Sequence, residues 1–326
     1  MNGFGTDFRV SIFGESHGNG IGIVVDGVKA GIGLSSEDFR ADIGRRKSGA
    51  KGTTPRVEAD EPEILSGVFE GHTTGSPLAI IFRNGNTRSS DYEALKAVPR
   101  PGHADYVAAV KWDGFNDPRG GGHFSGRITL PVVAAGVIAK KMTGMGFNAE
   151  LIEIGGETDK EKWSGLLDRT SKEGDSIGGI VECTVSGVPA GLGEPFFDSV
   201  EALLSHALFS IPGVRGVEFG DGFAAARMKG SEHNDALILE DGEVRTSKNG
   251  AGGVNGGITN GSQIRFRVAF KPTASICREQ KTLNVKTGET VSLNVPGRHD
   301  VCFALRTPVI VEAMAAIVMA DLTARK

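Results

Sequence analysis

Gly14-Glu15-Ser16-His17-Gly18 sets a hydroxyl and an imidazole side by side between two glycines. The spacing matches the G-x-S-x-G turn that presents a nucleophilic serine in hydrolases. Such a turn must open a helix. Here positions 19–25 are glycine-spaced and β-branched, which predicts strand, turn, strand instead. Ser16 and His17 are then a pair in a turn, placed for chemistry other than acyl transfer. A second cluster is Arg100-Pro101-Gly102-His103-Ala104-Asp105. Proline and glycine build a turn, and His103 follows at a helix N-terminus. A neutral imidazole there can give or take a proton, or serve only as a cap.

Three consecutive glycines mark the third cluster, Arg119-Gly120-Gly121-Gly122-His123-Phe124-Ser125-Gly126-Arg127. Their entropic cost suits a backbone that bends tightly against an anion, with Ser125 as donor and Arg119 or Arg127 as a two-pronged clamp. Arg45-Arg46-Lys47-Ser48-Gly49-Ala50-Lys51 is a basic helix end that also suits phosphate or carboxylate. Nucleic acid fits it less well, because no aromatic residues interleave with the charges. Lys271-Pro272-Thr273-Ala274-Ser275 follows a predicted strand and offers a cation, two hydroxyls and a fixed turn. Gly297-Arg298-His299-Asp300 is a further charged turn. The glycine-rich stretch 250–257 fails the dinucleotide pattern, since Asn255 takes the third glycine position. The histidines have no metal-ligand spacing, so no metal is expected. Together the glycine turns predict a pocket for a polyanionic small molecule or cofactor.

The bulk composition leaves room for that reading. Of 326 residues, 48 are glycine, about twice the usual ~7%. There is no Gly-X-Y period, and a hydrophobic share of 39% supports a sizeable core. The net charge of −4 implies no general attraction to nucleic acid or membrane. Three widely spaced cysteines predict free thiols in a reducing compartment. The opening residues lack a basic stretch followed by an apolar one, and the apolar run 309–322 contains Glu312 and Asp321. The expectation is a cytoplasmic protein with no membrane span.

The elements that must position these clusters are partly legible. Strands are predicted at 8–13, 21–25, 63–68, 78–82, 149–154, 179–185, 216–219 and 263–270. Helices are predicted at 35–46, with Ser35 as N-cap, and at 104–111, 130–145, 198–208 and 309–322. Gly27-Val28-Lys29-Ala30-Gly31-Ile32-Gly33 recurs as Gly187-Val188-Pro189-Ala190-Gly191-Leu192-Gly193. Thr74-Gly75-Ser76 is echoed by Asn260-Gly261-Ser262, and Arg127 before Pro131 by Arg306 before Pro308. Three echoes in one order predict an internal duplication within one domain spanning 1–326. The repeats would run over about 8–154 and 175–324, with the boundary in 155–174. Strands and helices do not alternate one for one, so packed sheets and helices are expected, not a doubly wound parallel sheet.

With these clusters in this order, the chain resembles the chorismate synthases. The resemblance runs from about Arg9 to Leu322. It is carried by Phe13 to Gly18, Arg100 to Tyr106, Arg119 to Gly122, Gly174-Asp175-Ser176-Ile177-Gly178, Gly187 to Pro195, Lys271-Pro272-Thr273 and Gly297 to Asp300. It implies an α+β fold, a β-α-β sandwich with pseudo-twofold internal duplication, assembled as a homotetramer. It implies reduced FMN as cofactor and 5-enolpyruvylshikimate 3-phosphate as substrate. The reaction is a 1,4-anti elimination of phosphate that closes the shikimate pathway of aromatic amino acid biosynthesis. The source of reduced flavin is left open between NADPH and a separate flavin reductase.

Carried over residue by residue, the resemblance places Arg45, Arg46, Lys51, Arg100, Arg127 and Arg298 on the substrate anions. Arg298 also lies near the flavin. His17 would stand at the leaving phosphate and His103 against the reduced flavin. Ser16 and Asp300 would relay the ring proton that flavin N5 removes. Flavin contacts would come from His123, Phe124, Ser125, Pro212, Gly213, Gly256, Lys271, Pro272, Thr273, Ala274 and Ser275. The chain has His123-Phe124 where the family more often has Arg or Ala and then Ser. A noncatalytic flavin- or anion-binding protein on the same scaffold is the competing reading.

Overall fold

The computed structural model describes residues 2–54, 58–85, 96–295, 297 and 299–325. Arg298, an expected ligand residue, lies outside them.

Two helices are apolar on every side. Thr129–Thr143 is buried from Thr129 to Ala139, and Pro308–Ala324 from Val309 to Leu322. A helix with no polar face must be covered all round. These two pack on each other, and an antiparallel sheet covers each from outside. The result is an α+β sandwich of sheet, helix layer and sheet. Gly136 marks the closest approach of the helices: a Cβ there would stand 2.4 Å from the Ala313 Cβ. Proline opens Pro308–Ala324, where its missing N–H has no intrahelical partner to lose.

The first sheet orders its strands Gly3–Phe4, Arg9–Gly14, Gly20–Asp26, Leu78–Arg83, Glu63–Ser66. The second orders them Gly146–Ile154, Gly179–Ser186, Ile264–Phe270, Val214–Phe219. Leaving aside Gly3–Phe4, each sheet runs first, second, fourth, third in chain order, and every pairing is antiparallel. Alternation supplies the inner faces: Ile21, Ile23 and Val25 in one sheet, Ile264, Phe266, Val268 and Phe270 in the other.

The echoed turns share their bonds as well as their letters. Thr73 Oγ1 donates to the Lys29 carbonyl at 2.6 Å and accepts from the Ile32 N–H at 2.9 Å. Thr259 Oγ1 donates to the Pro189 carbonyl at 2.7 Å and accepts from the Leu192 N–H at 2.9 Å.

The strand Gly146–Ile154 pairs with Gly179–Ser186, so by sheet it groups with the strands of the second half of the chain. The stretch 155–174 holds a helix not expected from the sequence, Lys160–Lys172, capped where the Asp159 carboxylate accepts the Glu161 N–H at 3.1 Å. The helix expected at 35–46 begins instead as a 3-10 turn, Ser36–Phe39, and becomes α-helical over Arg40–Arg46.

The two charges inside the last helix are both satisfied. Asp321 accepts the N–H groups of Thr6, Asp7 and Phe8 at 2.9, 2.8 and 3.0 Å, tying the N-terminal segment to the helix. Glu312 takes Arg45 and Lys140 as ion-pair partners and the Ala149 N–H at 2.9 Å. Among the described residues no helix is long and apolar enough to cross a membrane. Cys183 and Cys302 are buried, Cys277 is exposed, and none forms a disulfide.

Candidate active site

A cleft of about 570 Å³ opens where the N-terminal ends of both central helices meet loops from the two sheets. Arg127 stands just before Thr129–Thr143, and Arg306 just before Pro308–Ala324. Both line the cleft. The chain is net acidic, yet this cavity is not. Arg46, Lys47, Arg100, Arg127, Arg215, Lys271 and Arg306 line it against Glu58, Asp60 and Asp300. Phe124, Phe303, Pro212 and Val107 give it an apolar wall.

The polar floor is built around Asp60, which is 5% exposed. Its Oδ2 lies 3.2 Å from Arg46 Nη2 and its Oδ1 2.8 Å from Arg127 Nη1. Arg127 Nε also donates to Asn84 Oδ1 at 2.6 Å. Burial pushes the Arg46 guanidinium down to about 10, and the nearby charges of Arg306 and Arg127 add to this against the pull of Asp60. Burial alone would raise the Asp60 carboxyl, but Arg46 and Arg127 outweigh it and hold Asp60 below the usual carboxylate range.

His103 is oriented by Asp105. Asp105 Oδ1 is 2.7 Å from His103 Nδ1, and Arg100 Nη2 is 3.1 Å from the same nitrogen; a proton on Nδ1 satisfies the carboxylate and leaves Nε2 for the cleft. Arg100 grips the same carboxylate, Nε to Oδ2 at 2.7 Å and Nη2 to Oδ1 at 2.7 Å, and sends Nη1 to Ser275 Oγ at 2.9 Å. Burial opposes ionisation of Asp105, but hydrogen bonds from Arg100 and His103 prevail and hold it far below its ordinary value. The carboxylate is therefore ionised at neutral pH. Arg100 spends its donors inside the protein and fixes His103 relative to the 271–275 segment.

The triple glycine threads between the two candidate histidines. Gly120, Gly121 and Gly122 have φ of 60, 81 and 54°, a left-handed run that glycine alone adopts without strain. A Cβ on Gly120 would stand 2.6 Å from His17 Nε2 and 2.9 Å from Ser16 Oγ, and one on Gly121 3.5 Å from His103 Nε2. The segment is tied down by the Ser16 N–H to the Gly122 carbonyl, 3.1 Å, and by His123 Nδ1 to the Gly14 carbonyl, 2.8 Å. Ser16 and His17 thus lie one layer behind Gly120, buried and off the cleft wall. A turn of glycines and polar residues would ordinarily be exposed, but residues 119–124 fold over this one.

The structure brings Arg46, Arg100, His103, Phe124, Ser125, Arg127, Pro212, Gly213, Lys271, Pro272, Thr273, Ala274, Ser275 and Asp300 to one cavity. Others it sends elsewhere. Arg45 neighbours Arg46 on one helix, so the two cannot share a face, and Arg45 forms a two-pronged pair with the buried Glu312 at 2.8 and 2.6 Å. Lys51 points outward to Ser164 Oγ at 2.6 Å and Asp168 Oδ2 at 2.8 Å. The His123 ring turns toward Gly14. Gly256 sits in the hairpin of Val254–Asn255 and Ile258–Thr259, apart from the residues lining the cleft. Sequence reasoning missed Asp60, Arg215, Phe303 and Arg306. Only Arg306 had left a signal, as the echo of Arg127.

The cleft also suits a flavin mononucleotide. Lys271 and Arg215 adjoin each other without a carboxylate partner among the described residues, and burial together with the Arg215 charge lowers the Lys271 ammonium. Thr273 Oγ1 is buried without a hydrogen bond among the described residues. An orphan hydroxyl beside paired cations fits a phosphate, and the Phe303–Pro212 wall fits a planar ring.

The sequence model of the chorismate synthase family matches residues 8–324. The chorismate synthase of Chitinophaga pinensis is 60% identical over 323 residues, covering 98% of this chain and 96% of that protein. That of Korarchaeum cryptofilum is 46% identical over 346 residues, covering 98% and 96%. A crystal structure of a chorismate synthase superposes with a TM-score of 0.76 at 28% identity, covering 98% of this chain and 92% of the other. On this evidence of sequence and fold, the chain belongs to the chorismate synthase family.

Proposed function

We propose that this cleft is where the chain carries out its family's reaction. Chorismate synthases eliminate phosphate from 5-enolpyruvylshikimate 3-phosphate in a 1,4-anti sense to give chorismate, the last step of the shikimate pathway, and they require reduced FMN. The reduced flavin supplies electron density and a basic ring nitrogen to the elimination. One observation carries the assignment of place: the convergence of Arg46, Arg127 and Arg306 with an oriented His103 in one cavity, beside Lys271 and Arg215, which have no carboxylate partner among the described residues.

The chain's own residues then divide the work. Arg46 and Arg127, held in register by Asp60, seat the anionic groups of the substrate. His103, with Nδ1 fixed, offers Nε2 as a proton donor or acceptor toward the cleft. Asp300 takes on the proton lost from the substrate ring at a carboxylate oxygen. Ser16 and His17 act from behind Gly120. In this structure Gly120 stands between His17 and the cleft. Lys271, Arg215 and Thr273 would hold the flavin phosphate, and Phe303 and Pro212 would face its ring.

The assembly we infer is a homotetramer in a reducing compartment. The exposure of Phe196 (87%) and Phe197 (91%) supports burial of that face by another copy. Reduced flavin would come from NADPH or from a separate flavin reductase.

The location of the cofactor has a direct check. Replacing both Lys271 and Arg215 by alanine weakens FMN binding by about 10–100-fold, the size of one to two charged hydrogen bonds. Riboflavin, which lacks the phosphate, binds the variant and the parent alike. A titration by flavin fluorescence reads both. Unchanged FMN affinity would remove the flavin from this end of the cleft.

A further inference from the structure

We propose that Arg306 is a positioning residue for Asp300, an assignment that rests on the reading of Asp300 given above. Arg306 closes the 3-10 turn Phe303–Arg306 ahead of the last helix. Its Nη2 donates to Asp300 Oδ2 at 2.7 Å, while the backbone N–H of Thr54 donates to Oδ1 at 2.8 Å. Each carboxylate oxygen is thereby fixed by one donor and keeps a second lone pair for a proton. The Arg306 and Asp300 side chains are 12% and 11% exposed, and both residues line the cleft.

The guanidinium is itself immobilised. It lies 5.4 Å from the Phe303 ring centre, and Phe303 packs edge-on against Phe270 at 6.4 Å. A Cβ on Gly126 would come within 3.0 Å of the Phe303 ring, so the ring has no room on that side. Arg306 Nε is buried and has no acceptor among the described residues. The ion pair Arg306 makes at the cleft wall is with Asp300. Arg127 fills the corresponding place at the other central helix and holds Asp60 at 2.8 Å. Each helix thus begins with an arginine that fixes one cleft carboxylate. The planar fork favours arginine over lysine here, because it meets the carboxylate and the ring at once.

The test is a double-mutant cycle on the full chain, with reduced FMN under anaerobic conditions, reading kcat, KM and thermal midpoint. Asp300→Asn lowers kcat by about 100-fold or more, as for a lost proton acceptor. Arg306→Met lowers kcat by about 10–100-fold with KM nearly unchanged, Arg306→Lys restores part of it, and the double variant is no slower than Asp300→Asn alone. A raised KM with kcat retained would make Arg306 a substrate ligand and overturn the proposal. A loss in the double variant equal to the product of the single losses would overturn it too, as would Met and Lys variants that share one kcat and differ only in thermal midpoint. Asp300→Asn with full kcat would instead refute the role of Asp300, and this proposal would fall with it.

Discussion

Replacing His103 by alanine lowers turnover by about 10²–10⁴-fold, the contribution of a positioned general acid or base. The reason is geometric. Asp105 holds Nδ1 at 2.7 Å and is itself gripped twice by Arg100, so the ring presents Nε2 in one orientation. Gly121 passes close to that nitrogen and has no side chain to cover it. Since His103 contributes no charge pair to the Asp60 floor, the alanine variant still binds substrate within a small factor. Single-turnover phosphate release separates the two effects. A release rate like that of the parent chain would remove His103 from the reaction. Asp105→Asn keeps the shape but not the charge, and is expected to fall between the two.

The second large effect is at Asp60. Asp60→Ala leaves Arg46 and Arg127 buried without their shared carboxylate, a type of change that costs about 3–5 kcal/mol of stability. It also lets the two guanidiniums, now mutually repulsive, drift from register, so KM rises with the loss of stability. The position is demanding: Asp60 sits at φ 54°, a left-handed conformation that a non-glycine residue holds only when its surroundings enforce it. The pH dependence follows from the sign of its shift. Asp60 is held below the ordinary carboxylate value of ~3.9. Its contribution is therefore complete above that value and disappears as pH falls through the lower folded value. The stability gap between the parent and Asp60→Asn, read by urea unfolding, is widest near neutral pH and closes in acid. Equal stability at neutral pH would show that the two arginines do not depend on this carboxylate.

The site was legible in the sequence where its parts are local. Glycine and proline turns announce themselves, so the 100–105, 119–127 and 271–275 clusters were found as clusters, and all three border the cleft. Strands with strict alternation, such as Ile264–Phe270, were found within a residue of their ends. What stayed hidden are contacts between residues distant in the chain. Nothing near Arg45 reveals that Glu312 lies against it, so Arg45 and Arg46 looked equivalent although only one faces the cleft. Asp60 lies 14 and 67 residues from the arginines it joins and belongs to no motif. The helix Lys160–Lys172 falls in the stretch assigned to the repeat boundary, although Asp159 in capping position and the spacing of Trp163, Leu166, Leu167 and Thr170 mark it as a helix. Arg306 is the intermediate case. Its likeness to Arg127 was visible as a pattern, but the carboxylate it holds was not.

The two glycine roles also separate in the structure. Gly136 lets two buried helices touch, and Gly120 to Gly122 let a backbone pass between two histidines without a side chain to collide. The first is a matter of packing and the second of access to the chemistry. A substitution at Gly136 therefore acts on stability, and one at Gly120 on His17 and Ser16.

Elimination of phosphate in this cleft with the help of reduced flavin is tested by anaerobic incubation of the protein with 5-enolpyruvylshikimate 3-phosphate and dithionite-reduced FMN, with oxidised FMN, or with no flavin, following phosphate and chorismate together. Equal amounts of phosphate and chorismate are expected with reduced FMN and neither product in the other two reactions. Ligand binding without phosphate release in the presence of reduced FMN would contradict it, and so would chorismate formed with no flavin present.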